Sequence, residues 1–386
     1  MIGPGIPSAI GFFFLLWTIS APAADKIGLQ QQSSTKITAQ MVGAPFEGDH
    51  PPFVWAISIS PDSKNIAVGV QFARKKKNLS FHSYLLVFPT DRPGVVLRNV
   101  ETPTQFEFRG LHSIVWSSDS RFLAVTPWGD WDHAAVLQLN DGHLDVFSDR
   151  IGVPWCGGAA GLAPGPRIVQ QCTLQGNADT AVRFLSVDGT VASQWTFRGA
   201  ISLMQVSPDR RMLALDVPGA SGKSPLRRSH DVVVLSIPDR TEVARWPLPE
   251  AMAYSGTFAN SGKAFCTVPD PNYVNSEHEV VCRNIIGGDV ISKFIVPKGP
   301  VGIGAAGDKL LLRHSGVAIL PFRLFGTNYI LGGTNESISD LQTGRAIAAW
   351  QIPTMDDVNS ASSVSEDGRM VAIADSGSIR LYQVSQ

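Results

Sequence analysis

The chain has 386 residues, and its 32 Lys and Arg against 33 Asp and Glu leave a formal net charge of −1, so no overall basicity points to a nucleic-acid partner. Glycine (36) and proline (26) are plentiful and no long amphipathic helical pattern occurs, which argues against a helical bundle and for many short strands joined by turns. Length alone would allow two or three domains, but an internal repeat runs through nearly the whole chain.

Residues 1–24 carry no charged side chain. The apolar run Ile10–Ile19 has the length of a signal-peptide core, and Ala21-Pro-Ala23 reads as a small-x-small cleavage site. Pro4 and Pro7 leave too few uninterrupted residues for a helix that spans a bilayer. Residues 1–23 are therefore expected to be a signal peptide. The mature chain would be exported, periplasmic or secreted, with no membrane span after cleavage. A polar linker is expected over residues 24–34, followed by an isolated strand over residues 35–42.

From there a turn-and-strand signature recurs. Clear copies begin at Ser60-Pro-Asp62, Ser117-Ser-Asp119, Ser207-Pro-Asp209 and Ser365-Glu-Asp367, each followed by a basic residue and an apolar–Ala–apolar strand. A looser copy spans Ala259–Thr267, and two weak ones begin at Gly165 and Gly307. The basic residues Lys64, Arg121, Arg167, Arg211, Lys263, Lys309 and Arg369 stand 57, 46, 44, 52, 46 and 60 residues apart by subtraction. Seven units of about 50 residues with strand chemistry indicate propeller blades. Ser-Pro-Asp suits a tight turn, and a strand that is apolar on both faces suits a blade sandwiched between neighbours. The small Ala67, Ala124, Ala214 and Ala372 would let adjacent sheets approach closely.

The expected fold is all-β: a seven-bladed β-propeller of four-stranded antiparallel blades, occupying residues 35–386 as one domain. The chain ends at a third strand of blade seven, Ser378–Val384, so the early strand at 35–42 is expected to supply the fourth and close the ring.

With strands lettered a to d, the a–b turns are all tight and the b–c connections long. They run from Gln71 to Phe81, Pro127 to Asp132, Pro218 to Ser229, Pro269 to Ser276 and Ser315 to Thr334. The b–c and d–a connections of a blade emerge on one rim, so loop length concentrates on one face, where function usually sits.

Cys156 and Cys172 are 16 residues apart, as are Cys266 and Cys282. A hairpin of strands a and b in blade three, turning at Ala163–Gly165, sets 162 against 166 and Cys156 against Cys172. Strands b and c of blade five set Cys266 against Cys282. Of three possible pairings these two local ones fit best. Four buried free thiols are the alternative, and a zinc site lacks its Cys-x-x-Cys knuckle.

Two basic clusters lie in long connections: Arg74, Lys75 and Lys76 in blade one, and Arg227 and Arg228, with Lys223, in blade four. They suit an acidic protein surface or a polyanionic polymer, or else are solvated loop tips. Trp128, Trp131 and His133, interleaved with Asp130 and Asp132, could stack a sugar ring or hold a cation, though the calcium-loop pattern is missing and a loop packing its own indoles is the simpler account. Tyr273 joins the binding candidates from the blade-five connection. Pro218–Ser224 imitates a phosphate loop but has Val217 where glycine is required and Pro225 where a helix should start. No Gly-x-Ser-x-Gly or His-Glu-x-x-His motif occurs, and His112 and His314 are the histidines placed near the channel mouth. No catalytic residue, cofactor or metal is assigned. Asn78 and Asn335 head glycosylation sequons, which matter only in a eukaryote.

The Ser-Pro-Asp and Ser-Glu-Asp-Gly repeats with their basic residues resemble exported bacterial WD-repeat-like propellers, a group that includes the Tol-system propeller and YVTN-type repeat proteins. The Gly-His and Trp-Asp marks of eukaryotic WD repeats do not recur with the repeat. The resemblance implies a non-catalytic binding platform acting through the long-loop face. The alternative it carries is an exported enzyme or enzyme subunit of the amine-dehydrogenase or lactonase type.

Overall fold

The computed structural model describes residues 28–385, apart from residues 44–51, 76–78, 103–110, 128–132, 149–155, 164–166, 174–178, 187–189, 200, 219–227, 252–253, 270–277, 297–300, 307, 325–326, 355–359 and 376. Seven four-stranded antiparallel sheets follow one another around a ring, each in the order a-b-c-d. Blade one comprises Phe53–Ile59, Asn65–Lys75, Leu79–Pro89 and Arg98–Glu101. Blade four comprises Ser202–Val206, Met212–Pro218, Arg228–Ser236 and Glu242–Ala251, and blade six Val301–Ala306, Lys309–Leu324, Thr327–Asp340 and Ala346–Thr354. The a strands of neighbouring blades pack on one another about the axis. Every in-phase basic residue stands at or just before the start of a b strand.

The turn chemistry explains the signature. In four blades the serine hydroxyl donates to the Asp two residues on, at 2.6, 2.6, 2.5 and 2.5 Å for Ser60, Ser117, Ser207 and Ser365. The same oxygen accepts the backbone N–H five residues on, from Asn65, Phe122, Met212 and Met370, at 2.8–2.9 Å. The Asp then accepts the N–H of the basic residue, at 3.0–3.2 Å. The fourth residue takes a left-handed conformation: Ser63, Ser120, Arg210 and Gly368, with φ of 58°, 58°, 61° and 69°. Blade five lacks the hydroxyl at Ala259 and turns differently, with Asn260, Ser261 and Gly262 all at positive φ.

Strand alternation then sorts the core. Ile66 and Val68 pack toward blade seven, while Ala67 between them faces blade two and its Trp116. Ala214 faces Phe258 and Phe265 of blade five, and Ala372 faces blade one. All four signature alanines are buried, so the small residue on strand b makes room for the large residues of the next blade.

The ring closes as expected, but with an earlier segment. Leu29–Lys36 pairs antiparallel with Ser378–Val384 as the fourth strand of blade seven, so the closing strand is not 35–42, and part of the expected linker is sheet. Residues Ala39–Val42 form a short helix, whose Val42 lies with Ile37 in the core between blades seven and one. The apolar residues that suggested a strand are plugs beneath the sheet, whereas an outermost strand needs only half-buried, polar residues.

The blade-three hairpin also differs in detail. Leu162 pairs with Ile168, not with residue 166, and two register shifts between Gly157 and Gly161 restore Cys156 opposite Cys172. Glycines there allow the bulges. Cys172 is disulfide-bonded, and Cys266 and Cys282 form a second bridge with a Cα separation of 4.0 Å. Both Cys266 and Cys282 are fully buried.

Candidate binding face at the b–c rim

The two ends of the ring are built differently. At the a–b end, Arg210 of blade four crosses the axis. One of its terminal nitrogens donates to the Trp116 carbonyl of blade two at 3.0 Å and lies 3.5 Å from Glu366 of blade seven. From blade four, only a group on the axis can reach both. Its Nε is buried without a partner among the described residues, and burial draws the guanidinium pKa down against the pull of Glu366 and Asp209. At the equivalent described positions Ser63, Ser120 and Gly368 are small, so among these turns Arg210 is the one long enough to reach across the end of the ring. Sequence reasoning passed over it. The available signal was a long basic residue at a left-handed turn position that elsewhere holds serine or glycine.

At the b–c end the chain projects. The connections expected as loops in blades one and six are largely continuations of strands b and c as paired hairpins. Blade one runs on through Phe72↔His82 to Lys75↔Leu79, and blade six through Val317↔Gly332 to Leu324↔Thr327. Because b and c each belong to a rigid sheet, extending their ladder requires no new nucleation, which is why these segments stay paired beyond the blade.

Polar networks lie at the base of both hairpins and at the same rim of blade four. In blade one, Trp55 Nε1 donates to Gln71 Oε1 at 3.2 Å and Gln71 Nε2 to Ser83 Oγ at 3.3 Å, on the rung where the hairpin leaves the sheet. There His82 Nδ1 lies 2.9 Å from Glu101 Oε1. In blade four, buried His230 and Asp216 meet at 2.7 Å, with the Tyr254 ring edge-on to the imidazole. Burial raises the Asp216 carboxyl above the ordinary value, against the charge and hydrogen bond of His230. Burial and the Asp216 charge push Tyr254 up to about 12. In blade six, Glu336 is buried and receives Arg313 Nε at 2.9 Å, Trp350 Nε1 at 2.8 Å and the hydroxyl of Ser362 in blade seven. Carboxylates so placed must be fully hydrogen-bonded, and Glu336 ties three strands of one blade to the next.

The candidate residues distribute over this rim. Arg74 and Lys75 lie on strand b near the tip of the blade-one hairpin, opposite Ser80 and Leu79. Arg228 opens strand c of blade four, two residues from His230. His133 opens strand c of blade two, opposite Ser148. Lys76, Trp128, Trp131, Arg227 and Tyr273 lie outside the described residues, as do the expected signal peptide and the sequon at Asn78. Among the described residues no three His, Cys, Asp or Glu side chains gather as metal ligands would.

Known structures share this architecture. A chain of a mitotic checkpoint complex superposes over 100% of this chain and 97% of its own length, with a TM-score of 0.54 at 13% identity. The β-propeller domain of Myceliophteria thermophila Cps50 (Swd1) covers 92% of this chain and 99% of its own, with a TM-score of 0.53 at 9% identity. Kuenenia stuttgartiensis hydrazine synthase covers 88% and 98%, with a TM-score of 0.51 at 14% identity. At such identities the likeness is one of fold. No family model matches the sequence, and no curated protein matches it.

Proposed function

We propose that this chain is an exported, non-catalytic propeller that holds an acidic protein or a polyanionic polymer on its b–c rim. The observation that carries this is the asymmetry of the two ends. Arg210 and hydrogen-bonded tight turns pack the a–b end, while the blade-one hairpin bearing Arg74 and Lys75 rises from the other, where Arg228 opens strand c of blade four. A rigid scaffold presenting basic projections suits recognition of an extended anionic surface. The buried Cys266–Cys282 bridge supports an oxidising compartment, in keeping with the apolar amino-terminal segment.

Affinity capture from the native host with two variants tests this reading. One variant carries Arg74, Lys75 and Arg228 changed to Ser. The other carries Lys64, Arg121 and Arg211 changed to Ser on the a–b end. Loss of partners only in the first supports the rim as the binding face. Equal recovery by both, or loss only in the second, overturns it.

A further inference from the structure

We propose that Arg210 is an acid-released strap: it spans the a–b end of the ring while Glu366 is ionised, and it lets go of the axis when Glu366 takes up a proton. This goes beyond the rim-binding reading and does not depend on it.

The strap is under-held for a buried charge. A guanidinium carries five N–H donors. That of Arg210 makes one hydrogen bond of ordinary length, from Nη2 to the Trp116 carbonyl at 3.0 Å. Its contacts with the Ser207 carbonyl and with Glu366 Oε1 are both at 3.5 Å. Its Nε has no acceptor among the described residues, yet the side chain is only 12% exposed. Arg210 also stands in left-handed backbone, at φ 61°, where a long side chain is uncommon. A buried charge stays in place only while an opposite charge compensates it.

Two carboxylates act on Arg210, Glu366 and Asp209. Asp209 belongs to the same turn and is already occupied, by the Ser207 hydroxyl and the Arg211 N–H. Glu366 comes from blade seven, and Arg210 is its one side-chain partner among the described residues. It is 40% exposed, so water can bring it a proton while Arg210 stays covered. Burial raises the Glu366 carboxyl above its ordinary value, against the pull of Arg210, so it protonates early as pH falls.

The other charges at this end do not share that behaviour. Asp119 and Asp367 are held by the hydrogen bonds of their own turns. Burial pushes Asp62 up, but hydrogen bonds from Ser60 and the Lys64 N–H outweigh it and hold the carboxyl below its ordinary value. Lys309 holds Asp308 down in the same way. The turn of blade five, Ala259–Lys263, has no carboxylate. Lys64, Arg121, Arg211, Lys263 and Arg369 stand at or just before the b strands, one strand out from the axis. With Glu366 neutral, Arg210 keeps one opposing charge and one good hydrogen bond, whereas water satisfies all its donors. The side chain then turns outward and leaves the axis uncovered, because Ser63, Ser120 and Gly368 are too short to replace it.

The test follows the Nε–H resonance of Arg210 by NMR in the full chain carrying isotope-labelled arginine, assigned by its loss in Arg210→Lys. At neutral pH its exchange with water is expected to be at least about tenfold slower than that of exposed arginines in the same spectrum. As pH falls through the Glu366 range, that protection should disappear. Glu366→Gln cannot ionise and lies outside the hydrogen bonds of the turn, so it should keep the fold and show the released state already at neutral pH. Asp209→Asn should retain the transition. Protection kept in Glu366→Gln at neutral pH, or a transition that vanishes in Asp209→Asn instead, overturns the proposal. So does a wild-type Arg210 that is unprotected at neutral pH, or one that stays protected below the ordinary carboxylate range.

Discussion

Removing the serine hydroxyl from any one of the four signature turns should cost nearly the same stability. Ser60, Ser117, Ser207 and Ser365 are at most 6% exposed, so water cannot replace the lost oxygen. In each turn the hydroxyl is the acceptor for the N–H at the start of strand b, at 2.8–2.9 Å. A Ser→Ala change strands that donor, and a buried unsatisfied donor costs about 1–3 kcal/mol. The Asp loses one donor but is exposed and keeps the N–H of the basic residue, so its loss adds little. The expected destabilisation is about 2 kcal/mol for each variant. In urea unfolding this lowers the midpoint of the first transition by roughly 0.7 M, taking a slope near the upper end for such proteins. Blade five is the control: its turn has three residues at positive φ, so Ala259→Ser should gain nothing. If all four alanine variants unfold within about 0.5 kcal/mol of wild type, the hydroxyl does not satisfy a buried donor and the account of the repeat is wrong.

Glu336→Ala should destabilise by about 3 kcal/mol, because it strands the Trp350 indole N–H, with Arg313 discounted for its exposure; Trp350→Phe in the same background should cost less than in the wild type, and additive losses would refute the coupling. The Asp216 carboxyl is raised in the folded state, so its protonated form favours folding, and its contribution is full below the ordinary carboxylate value and is lost as pH rises through the raised one. Urea midpoints should therefore show the wild type losing stability relative to Asp216→Asn as pH rises through that window, and a constant difference would contradict the shift. Peptide mapping without reduction should recover Cys266 linked to Cys282 and Cys172 linked to Cys156, with any crossed pair counting against the fold. Replacing both Cys266 and Cys282 by Ala should cost up to about 3 kcal/mol, as expected for a loop of this size.

The turns were legible because their hydrogen bonds close within five residues, from Ser60 to Asn65 and from Ser365 to Met370. The blade count, the alternation that aims Ala67 one way and Val68 the other, and the register of Cys266 and Cys282 follow from the same short-range chemistry and from strand spacing, whereas Cys156 meets Cys172 only through two bulges. The closing strand was misplaced because Leu29–Lys36 is a strand only by virtue of the edge it joins; its own residues are polar, and Ser378–Val384 lies over three hundred positions away. The hairpins of blades one and six looked like loops because glycine, proline and charge mark loops in water, and only the sheets beneath them keep the ladders going. Arg210 reaches Trp116 across 94 residues and Glu366 across 156, and Glu336 gathers Arg313, Trp350 and Ser362 from separate strands. A linear pattern records each residue's partners within a turn or along a strand. Which side chains meet on the axis of a ring, or between its blades, is decided when the ring closes, because closure alone sets those distances.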